Sequence, residues 1–243
     1  MSEFLLFVVV GFCAQLVDGA IGMAYGIVST SLMLSMGIAP AQASAVVHAA
    51  EVFTTAASGL SHAYFRNIDW RLLARLAPAG MIGGVLGALA LVSFDAGKVQ
   101  FWVSLYLAAI GCYIIFKAFR PLWPRDVRDA VVPVVGFFGG FMDASGGGGW
   151  GPIVTSSLIG RGHTPRKVIG SVNAAEFLVT VCVSASFVFS LGFATVAPAF
   201  GLIIGGLLAA PFGGYLVSRI PIRPMMFLIG LVIVTLSVFR LLS

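Results

Sequence analysis

Charged residues are scarce in this chain of 243 residues. Asp, Glu, Lys and Arg together make up 9% of the sequence, against about 25% in an ordinary soluble domain. Apolar residues reach 59%, and the mean hydropathy is +1.05. The apolar runs are long enough to cross about 30 Å of hydrocarbon as helices, unlike the short alternating segments of a membrane β-barrel. The sequence therefore excludes a soluble domain and predicts an all-α polytopic membrane protein in contact with the lipid bilayer.

Cysteine is also rare, and the motifs of several enzyme classes are missing. The three cysteines (Cys13, Cys112 and Cys182) lie singly inside apolar segments, without metal-site spacing or an evident disulfide partner. There is no nucleotide-binding glycine loop, no convincing Ser/His/Asp arrangement and no metal-ligand cluster. Basic cytoplasmic loops explain the net charge of +5, so no nucleic-acid partner is expected. We expect no metal, no cofactor and no ATP hydrolysis.

Glycine, in contrast, is abundant, and its clusters reveal an internal duplication. Sliding the chain by 125 residues aligns GFCAQLVDGAIGMAYG (11–26) with GFFGGFMDASGGGGWG (136–151). Between residues 11 and 55 this alignment gives 14 identities in 45 positions without a gap. The duplication predicts an N-terminal transmembrane repeat at 1–119, a cytoplasmic charged linker at 120–129 and a C-terminal transmembrane repeat at 130–243.

Each repeat contains four hydrophobic segments, and the first segment of each is interrupted by the glycine motif. A helix does not continue comfortably through the four glycines 146–149, because each loses additional backbone entropy. We therefore expect the chain to break there, and likewise near Asp18–Gly22 in the first repeat. The eight predicted segments are 4–36, 41–65, 72–94, 99–119, 130–160, 168–191, 196–217 and 224–242.

Basic residues indicate how these segments cross the membrane. If the first segment of each repeat crossed once, the last two basic clusters would face the exterior, against the cytoplasmic excess of Lys and Arg. If each first segment folds into a re-entrant hairpin, with legs of about 15 residues or about 22 Å, every cluster is cytoplasmic. One hairpin and three spans per repeat predict two inverted repeats, as in many secondary transporters; eight plain spans is the alternative. The clusters are Arg66–Arg75, Lys117–Arg128, Arg161–Lys167 and Arg219–Arg223.

The broken helices are the predicted substrate site. Backbone amides and the positive dipole end at the start of a second leg favour small anions, and nearby hydroxyls could add donors. Tyr25 and Trp150 occupy equivalent places beside the two breaks and could wall the site or only pack there. The predicted substrate-binding residues are Gly22, Tyr25, Gly26, Thr30, Ser31, Gly147, Gly148, Trp150, Gly151, Thr155, Ser156 and Asn173.

Four acidic residues lie inside the apolar segments, where an ionisable group is costly and usually functional. They form two repeat-related pairs, and one His precedes Glu51 by a single helical turn. We predict that these residues carry protons: Asp18, His48, Glu51, Asp143 and Glu176. Two structural alternatives stay open. The aspartates could cap the second legs, and the glutamates could act as protonated hydrogen-bonding links between helices.

The sequence resembles a known family in these same motifs. The pattern GFxxxxxDxxxG early in each half, the Thr-Ser pair, the following proline and Ala-Ala-Glu resemble the sulfite exporter TauE/SafE family, also called the 4-toluene sulfonate uptake permease (TSUP) family. The resemblance covers nearly the whole chain. It implies a bacterial inner-membrane protein that moves small sulfur-containing anions such as sulfite, sulfonates or sulfoacetate, coupled to protons. The first glycine motif is poorer than the second, so the two halves need not bind equivalently.

Other functions stay open at this point. An intramembrane enzyme could use Asp18 and Asp143 as a carboxylate pair. The acids could instead serve a cation-coupled transporter of another substrate, and a membrane scaffold for a soluble partner is a third alternative. Whether the protein forms a homo-oligomer is also open.

Overall fold

The computed structural model describes residues 2–21, 25–119, 129–159, 161, 163, 165–217 and 222–242, and these ranges contain helices but no β-strand. Short 3₁₀ turns lie at Asp129–Val131 and Phe193–Val196, and a π-helical turn lies at Gly151–Thr155. The α-helices in the described ranges are α1 (Ser2–Ile21), α2 (Tyr25–Ser35), α3 (Pro40–Tyr64), α4 (Trp70–Ser93), α5 (Ala96–Phe119), α6 (Val132–Gly146), α7 (Ser156–Ile159), α8 (Pro165–Leu191), α9 (Ala199–Val217) and α10 (Ile222–Leu242).

Helices lie over all eight predicted segments, and the first segment of each half is divided. In the second half, α6 forms the first leg, and the π-helical turn with α7 forms the second leg. In the first half, α1 and α2 are the two legs; the break between them, including Gly22, lies outside the described residues, as does 120–128 of the predicted linker. The predicted leg length is wrong for α1, whose 20 residues correspond to about 30 Å.

Several helices have the composition of membrane spans. In the described ranges, three are long and apolar enough to cross a membrane: Trp70–Ser93, Lys98–Phe119 and Lys167–Leu191. Shorter apolar stretches are Phe4–Leu16, Tyr25–Ser35, Ala199–Ala210 and Met226–Phe239. Large apolar side chains such as Phe189, which is 97% exposed, cover the outside of the bundle, as expected for a surface in contact with lipid.

The helix contacts are exchanged between the two halves. Helix α4 packs on α6 and α8, while the corresponding α9 packs on α1 and α3. Helices α3 and α8 pack on each other, as do α5 and α10. Each of these contacts therefore has a counterpart in which the two halves swap places.

Glycines make the closest of these contacts. A Cβ at Gly84 of α4 would lie 2.6 Å from Val183 Cγ2, and a Cβ at Gly206 of α9 would lie 2.7 Å from Thr54 Cγ2. The neighbouring Gly83 and Gly205 face main-chain carbonyls of α6 and α1. Small residues at such spacing let helix backbones approach closely in membrane proteins.

The second broken segment turns back on itself. A Cβ at Gly139 of α6 would touch Val154, which follows the break. At the start of α6, Gly136 packs against Leu76, and after the second leg Gly170 packs against Asn67. Both ends of the segment therefore lie at the same end of the bundle, beside the loop between α3 and α4.

A lysine of α8 links this helix to the loop between α3 and α4. Lys167 Nζ donates hydrogen bonds to the carbonyls of Arg66 at 2.9 Å and Ile68 at 3.2 Å. We expect Lys167→Met to lower the free energy of unfolding by about 1 kcal/mol, because the site is partly exposed and hydrogen bonds contribute modestly there. Thermal unfolding of the purified protein measures this, with the exposed Arg71→Met as the control. Equal unfolding temperatures for the two variants would show that these hydrogen bonds contribute nothing.

Candidate functional site

The two broken segments meet at their breaks. After α6, Gly147, Gly148 and Gly149 adopt φ values of 72°, 141° and 144°, which residues with a Cβ rarely adopt. A Cβ at Gly148 would lie 2.5 Å from the backbone nitrogen of Ile27, in the first turn of α2. Thr30 of α2 donates a hydrogen bond from Oγ1 to the carbonyl of Gly147. The start of α2 therefore packs directly on the glycine turn of the other half.

In each half, an aspartate of the first leg bridges the break. Asp18 Oδ1 accepts a hydrogen bond from the amide of Tyr25 at 3.3 Å, and Asp143 Oδ1 accepts one from the amide of Trp150 at 2.8 Å. The two bridges are related by the duplication, because Asp18 and Tyr25 align with Asp143 and Trp150. In a straight helix, residues seven apart are separated by about 10.5 Å along the axis. The side-chain bonds therefore place Tyr25 nearer to Asp18, and Trp150 nearer to Asp143, than a continuous straight helix would.

Asp143 satisfies most of the backbone donors at its own break. Its carbonyl accepts the amides of Gly147 and Gly148, and its side chain accepts the amide of Trp150. These amides are therefore paired within the protein, because a helix end buried away from water needs acceptors and the aspartate supplies them. An external anion would have to replace the Asp143 carboxylate to reach the Trp150 amide.

A histidine of α3 binds the other oxygen of this carboxylate. His48 Nδ1 lies 2.8 Å from the carbonyl of Ser44, which can only accept, so Nδ1 carries a hydrogen. Nε2 lies 3.1 Å from Asp143 Oδ2. Two lone pairs would repel each other at this distance, so a proton lies between Nε2 and Oδ2. The pair is completely buried and links the first half of the chain to the second.

Glu51 and Glu176 line a small polar cavity between the halves, which we call the closed cavity because it is too narrow to admit a solute. Glu51 is 3% exposed, and its Oε2 has no hydrogen-bond partner within the described part of the chain. The cavity has about 10 Å³ of free space, roughly what one water molecule requires. It is lined by Asp18, Tyr25, Gly26, Ile27, Glu51, Asp143, Gly149, Trp150, Gly151, Pro152 and Glu176.

The charges around this cavity are unbalanced. Four of the lining side chains are carboxylic acids, His48 lies behind Asp143, and no Lys or Arg is among the lining residues. Ligand atoms of His48, Glu51 and Asp143 all lie within 4.8 Å of one another. Carboxylates this close in a dry interior cannot all be ionised without compensation. The cluster is thus suited to hold protons, and its spacing would also admit a small cation. Sequence spacing does not predict this cluster, because Asp143 lies far along the chain from His48 and Glu51.

Comparison with known proteins identifies the type of molecule. A family model described as "Sulfite exporter TauE/SafE" matches residues 7–240. The chain belongs to this family. It is also 42% identical over 240 residues to the Bacillus subtilis (strain 168) protein named "Probable membrane transporter protein YtnM", covering 95% of this chain and 80% of that protein. No solved structure matches the chain. The resemblance read from the motifs is confirmed: this TauE/SafE protein is a multi-pass membrane transporter and not an enzyme.

The predicted residues of this TauE/SafE protein separate into two groups. All four membrane acids line the cavity, with Tyr25, Gly26, Trp150 and Gly151. Gly147 and Gly148 form the turn beside it, and Gly22 lies outside the described residues. The other predicted donors lie away from the lining: Thr30 is bound to Gly147, Asn173 bonds with Ser58 and Ile169, and Ser31, Thr155 and Ser156 are buried elsewhere.

Two residues of the site escaped sequence analysis. Tyr106 of α5 donates a hydrogen bond from its hydroxyl to the carbonyl of Gly148 at 3.0 Å. Ser44 donates to the carbonyl of Ala144 at 2.8 Å and, through its own carbonyl, fixes the ring of His48. In the duplication Ser44 aligns with Ile169, which carries no polar side chain. The repeat therefore does not single out Ser44, because only one half contributes this residue to the site.

Proposed function

We propose that this protein is a secondary transporter that moves small sulfur-containing anions, of the sulfite, sulfonate or sulfoacetate type, across the bacterial inner membrane, coupled to protons. The observation that carries the proposal is the convergence of two divided helical segments and four acids, of which Glu51 and Asp143 are buried, on one closed cavity. Secondary transporters commonly place their site at such helix breaks between repeats, near the middle of the membrane. The family and the named relative support transport in general, and the cavity supports the finer assignment.

Two inverted repeats with re-entrant first segments form the proposed scaffold. The exchange of contacts between the halves supports it, as does the return of the second broken segment to the bundle end that carries Arg66 and Lys167. In this arrangement all basic clusters face the cytoplasm, and the loop at Asp95–Lys98 faces the exterior. The closed cavity then corresponds to an occluded state, since about 10 Å³ is too small for a sulfur oxyanion.

The aspartates define where the anion binds in this proposal. Each carboxylate accepts the first amide of a second leg, which is the position that a helix start offers to an anion. The protein's own carboxylates therefore fill the anion position while the cavity is closed. When the cavity opens, the transported anion replaces the Asp143 carboxylate at the amide of Trp150, and the Thr and Ser side chains are not needed for this step.

Protons accompany the exchange. The His48–Asp143 pair already holds one proton, and withdrawing a protonated Asp143 from the amide leaves no buried charge without a partner. Glu51 faces this pair from α3, and the other groups around it are Asp18, Tyr25 and Glu176. We propose that Glu51 and Glu176 take up and release the transported protons as the cavity opens to each side.

Uptake into proteoliposomes tests the proposed function. Labelled sulfite, sulfoacetate and sulfate are compared with and without a proton gradient. We expect accumulation of at least one of the first two, and a greater amount when the gradient is present. Accumulation that requires Na⁺ and ignores the proton gradient would instead favour the cation-coupled alternative, for which the spacing of His48, Glu51 and Asp143 is suitable.

A further inference from the structure

A second and much larger pocket lies on the other side of the glycine turn. It occupies about 500 Å³ between the end of α4, the start of α5 and the end of α6. Its walls are apolar and include Leu91, Trp102 and Phe141, while Asp95 and Lys98 lie at its mouth. We propose that this pocket is the vestibule through which the transported solute reaches the closed cavity, and that Tyr106 is the gate between them. The inference rests on the proposed transport function.

Tyr106 lies at the floor of the vestibule and against the glycine turn. Its hydroxyl donates to the carbonyl of Gly148, and a Cβ at Gly146 would lie 2.5 Å from its Cδ1. Its hydroxyl also touches the position where Gly149 would carry a Cβ, and Gly149 lines the closed cavity. Tyr106 therefore lies between the vestibule and Gly149, a residue that lines the closed cavity. Only glycines at 146 and 149 leave room for the ring in this position.

The features of the pocket favour a solute over a lipid chain as its occupant. A lipid chain needs only apolar walls, whereas this pocket is lined by Asp95 and Lys98 at one end and by Ser145 and Tyr106 at the other. Its volume falls within the range of about 300–1,000 Å³ typical of small-molecule sites. The closed cavity holds too little space for a solute, so the vestibule is where a solute would wait before the gate opens.

Tyr106 can open without disturbing the charges of the cavity. Its hydrogen bond is to a main-chain carbonyl, and no acid is bound to its hydroxyl within the described residues. Rotation of the ring away from the turn would release the Gly148 carbonyl and expose the Gly149 side of the cavity. The charged groups that face the gate across the turn are Asp143 from α6 and, beyond it, Glu51 from α3.

Chemical access to single cysteines tests the vestibule. The three native cysteines are replaced, and Ser145→Cys at the floor is treated with the membrane-impermeant anion (2-sulfonatoethyl) methanethiosulfonate. Lys98→Cys at the mouth reports which face of the membrane is exposed. The control Leu105→Cys lies on α5 one residue from Tyr106, but it is 43% exposed on the outside of the bundle and does not line the pocket.

We expect Ser145→Cys to react from the same membrane face as Lys98→Cys, while Leu105→Cys reacts only with a lipid-soluble maleimide. Reaction of Ser145→Cys with the lipid-soluble reagent alone would overturn the vestibule, because the pocket would then belong to the lipid. The readout does not require a transported solute. A vestibule that is labelled while no sulfur anion is transported would refute the substrate assignment and leave the access route intact.

A second cysteine tests the gate. Ile27 is 1% exposed and lines the closed cavity, so Ile27→Cys reports entry beyond Tyr106. A closed gate is open in about 10% of molecules or fewer, so combining Ile27→Cys with Tyr106→Ala should raise its labelling rate about tenfold or more. Tyr106→Phe keeps the ring and should raise the rate less. Equal rates with Tyr, Phe and Ala would overturn the gate, and the Ser145→Cys result stands if Tyr106→Ala does not fold.

Discussion

Glu51→Gln is expected to reduce proton-driven accumulation strongly while leaving the protein folded. The amide has the size of the carboxylic acid but cannot take up or release a proton. Glu51 is buried in the closed cavity, and its Oε2 has no hydrogen-bond partner within the described residues, so the substitution breaks no identified contact of that atom. A coupling free energy of about 1–3 kcal/mol corresponds to a 5–150-fold effect, and we expect a loss of accumulation in this range.

Proteoliposomes with an imposed pH gradient measure this loss. Glu176→Gln, the repeat-related substitution, should act in the same direction because both acids line one cavity. Thr54→Val is the matched control, since Thr54 is buried on the same helix as Glu51 but does not line the cavity. Full accumulation by folded Glu51→Gln and Glu176→Gln proteins would contradict the proton-carrying role and leave the glutamates as hydrogen-bonding links between helices.

Gly148→Ala is expected to destabilise the protein and to prevent closure of the cavity. The φ of 141° at Gly148 is strained for any other residue, and the new Cβ would lie 2.5 Å from the nitrogen and 3.0 Å from the Cα of Ile27. Both neighbours are backbone atoms and cannot rotate away. Strain and overpacking each contribute about 1–3 kcal/mol, so we expect a loss of about 2–5 kcal/mol of unfolding free energy.

Gly37→Ala separates the two contributions. Gly37 also has a positive φ, of 87°, but a Cβ there would meet nothing within 4 Å. This control therefore introduces backbone strain without the collision between the two halves. Thermal unfolding and anion uptake are compared for both variants. If Gly148→Ala unfolds no earlier than Gly37→Ala and transports normally, the two breaks do not need to be in contact.

The sequence predicts those residues of the site that occur at equivalent positions in both halves. Asp18 and Asp143 emerged because the duplication places each at a glycine break, and both bridge that break in the structure. Glu51 and Glu176 emerged in the same way, and all four acids line one cavity. The duplication identifies such residues because a site between two related halves contains one equivalent residue from each half.

The duplication does not predict which hydrogen-bond donors and acceptors of the site pair with each other. The sequence indicates that a glycine break leaves amides without helical partners, but not which acceptor reaches them. Asp143 reaches the amide of Trp150 only because the turn at 147–149 folds the chain back. This turn depends on positive φ values, which glycines can adopt but which the sequence alone does not determine. The predicted anion site is therefore already occupied by a carboxylate of the protein.

Contacts between distant segments account for the remaining difference. His48 shares a proton with Asp143, 95 residues away, and Tyr106 bonds to Gly148 across 42 residues. Neither pair follows from periodicity or from the repeat. Thr30 was predicted to bind the substrate, but in the structure its hydroxyl donates to the carbonyl of Gly147 instead of facing the cavity.

The central claim is that anions and protons are exchanged at the acidic cavity where the two broken helices meet. Its most direct test adds a sulfonate, which stays ionised and does not buffer, to proteoliposomes without any pH gradient and follows the lumenal pH. We predict that the wild-type protein changes the lumenal pH as the sulfonate moves, and that the Glu51→Gln, Glu176→Gln double variant does not. Movement of the sulfonate by the wild-type protein with no change in lumenal pH would contradict the account.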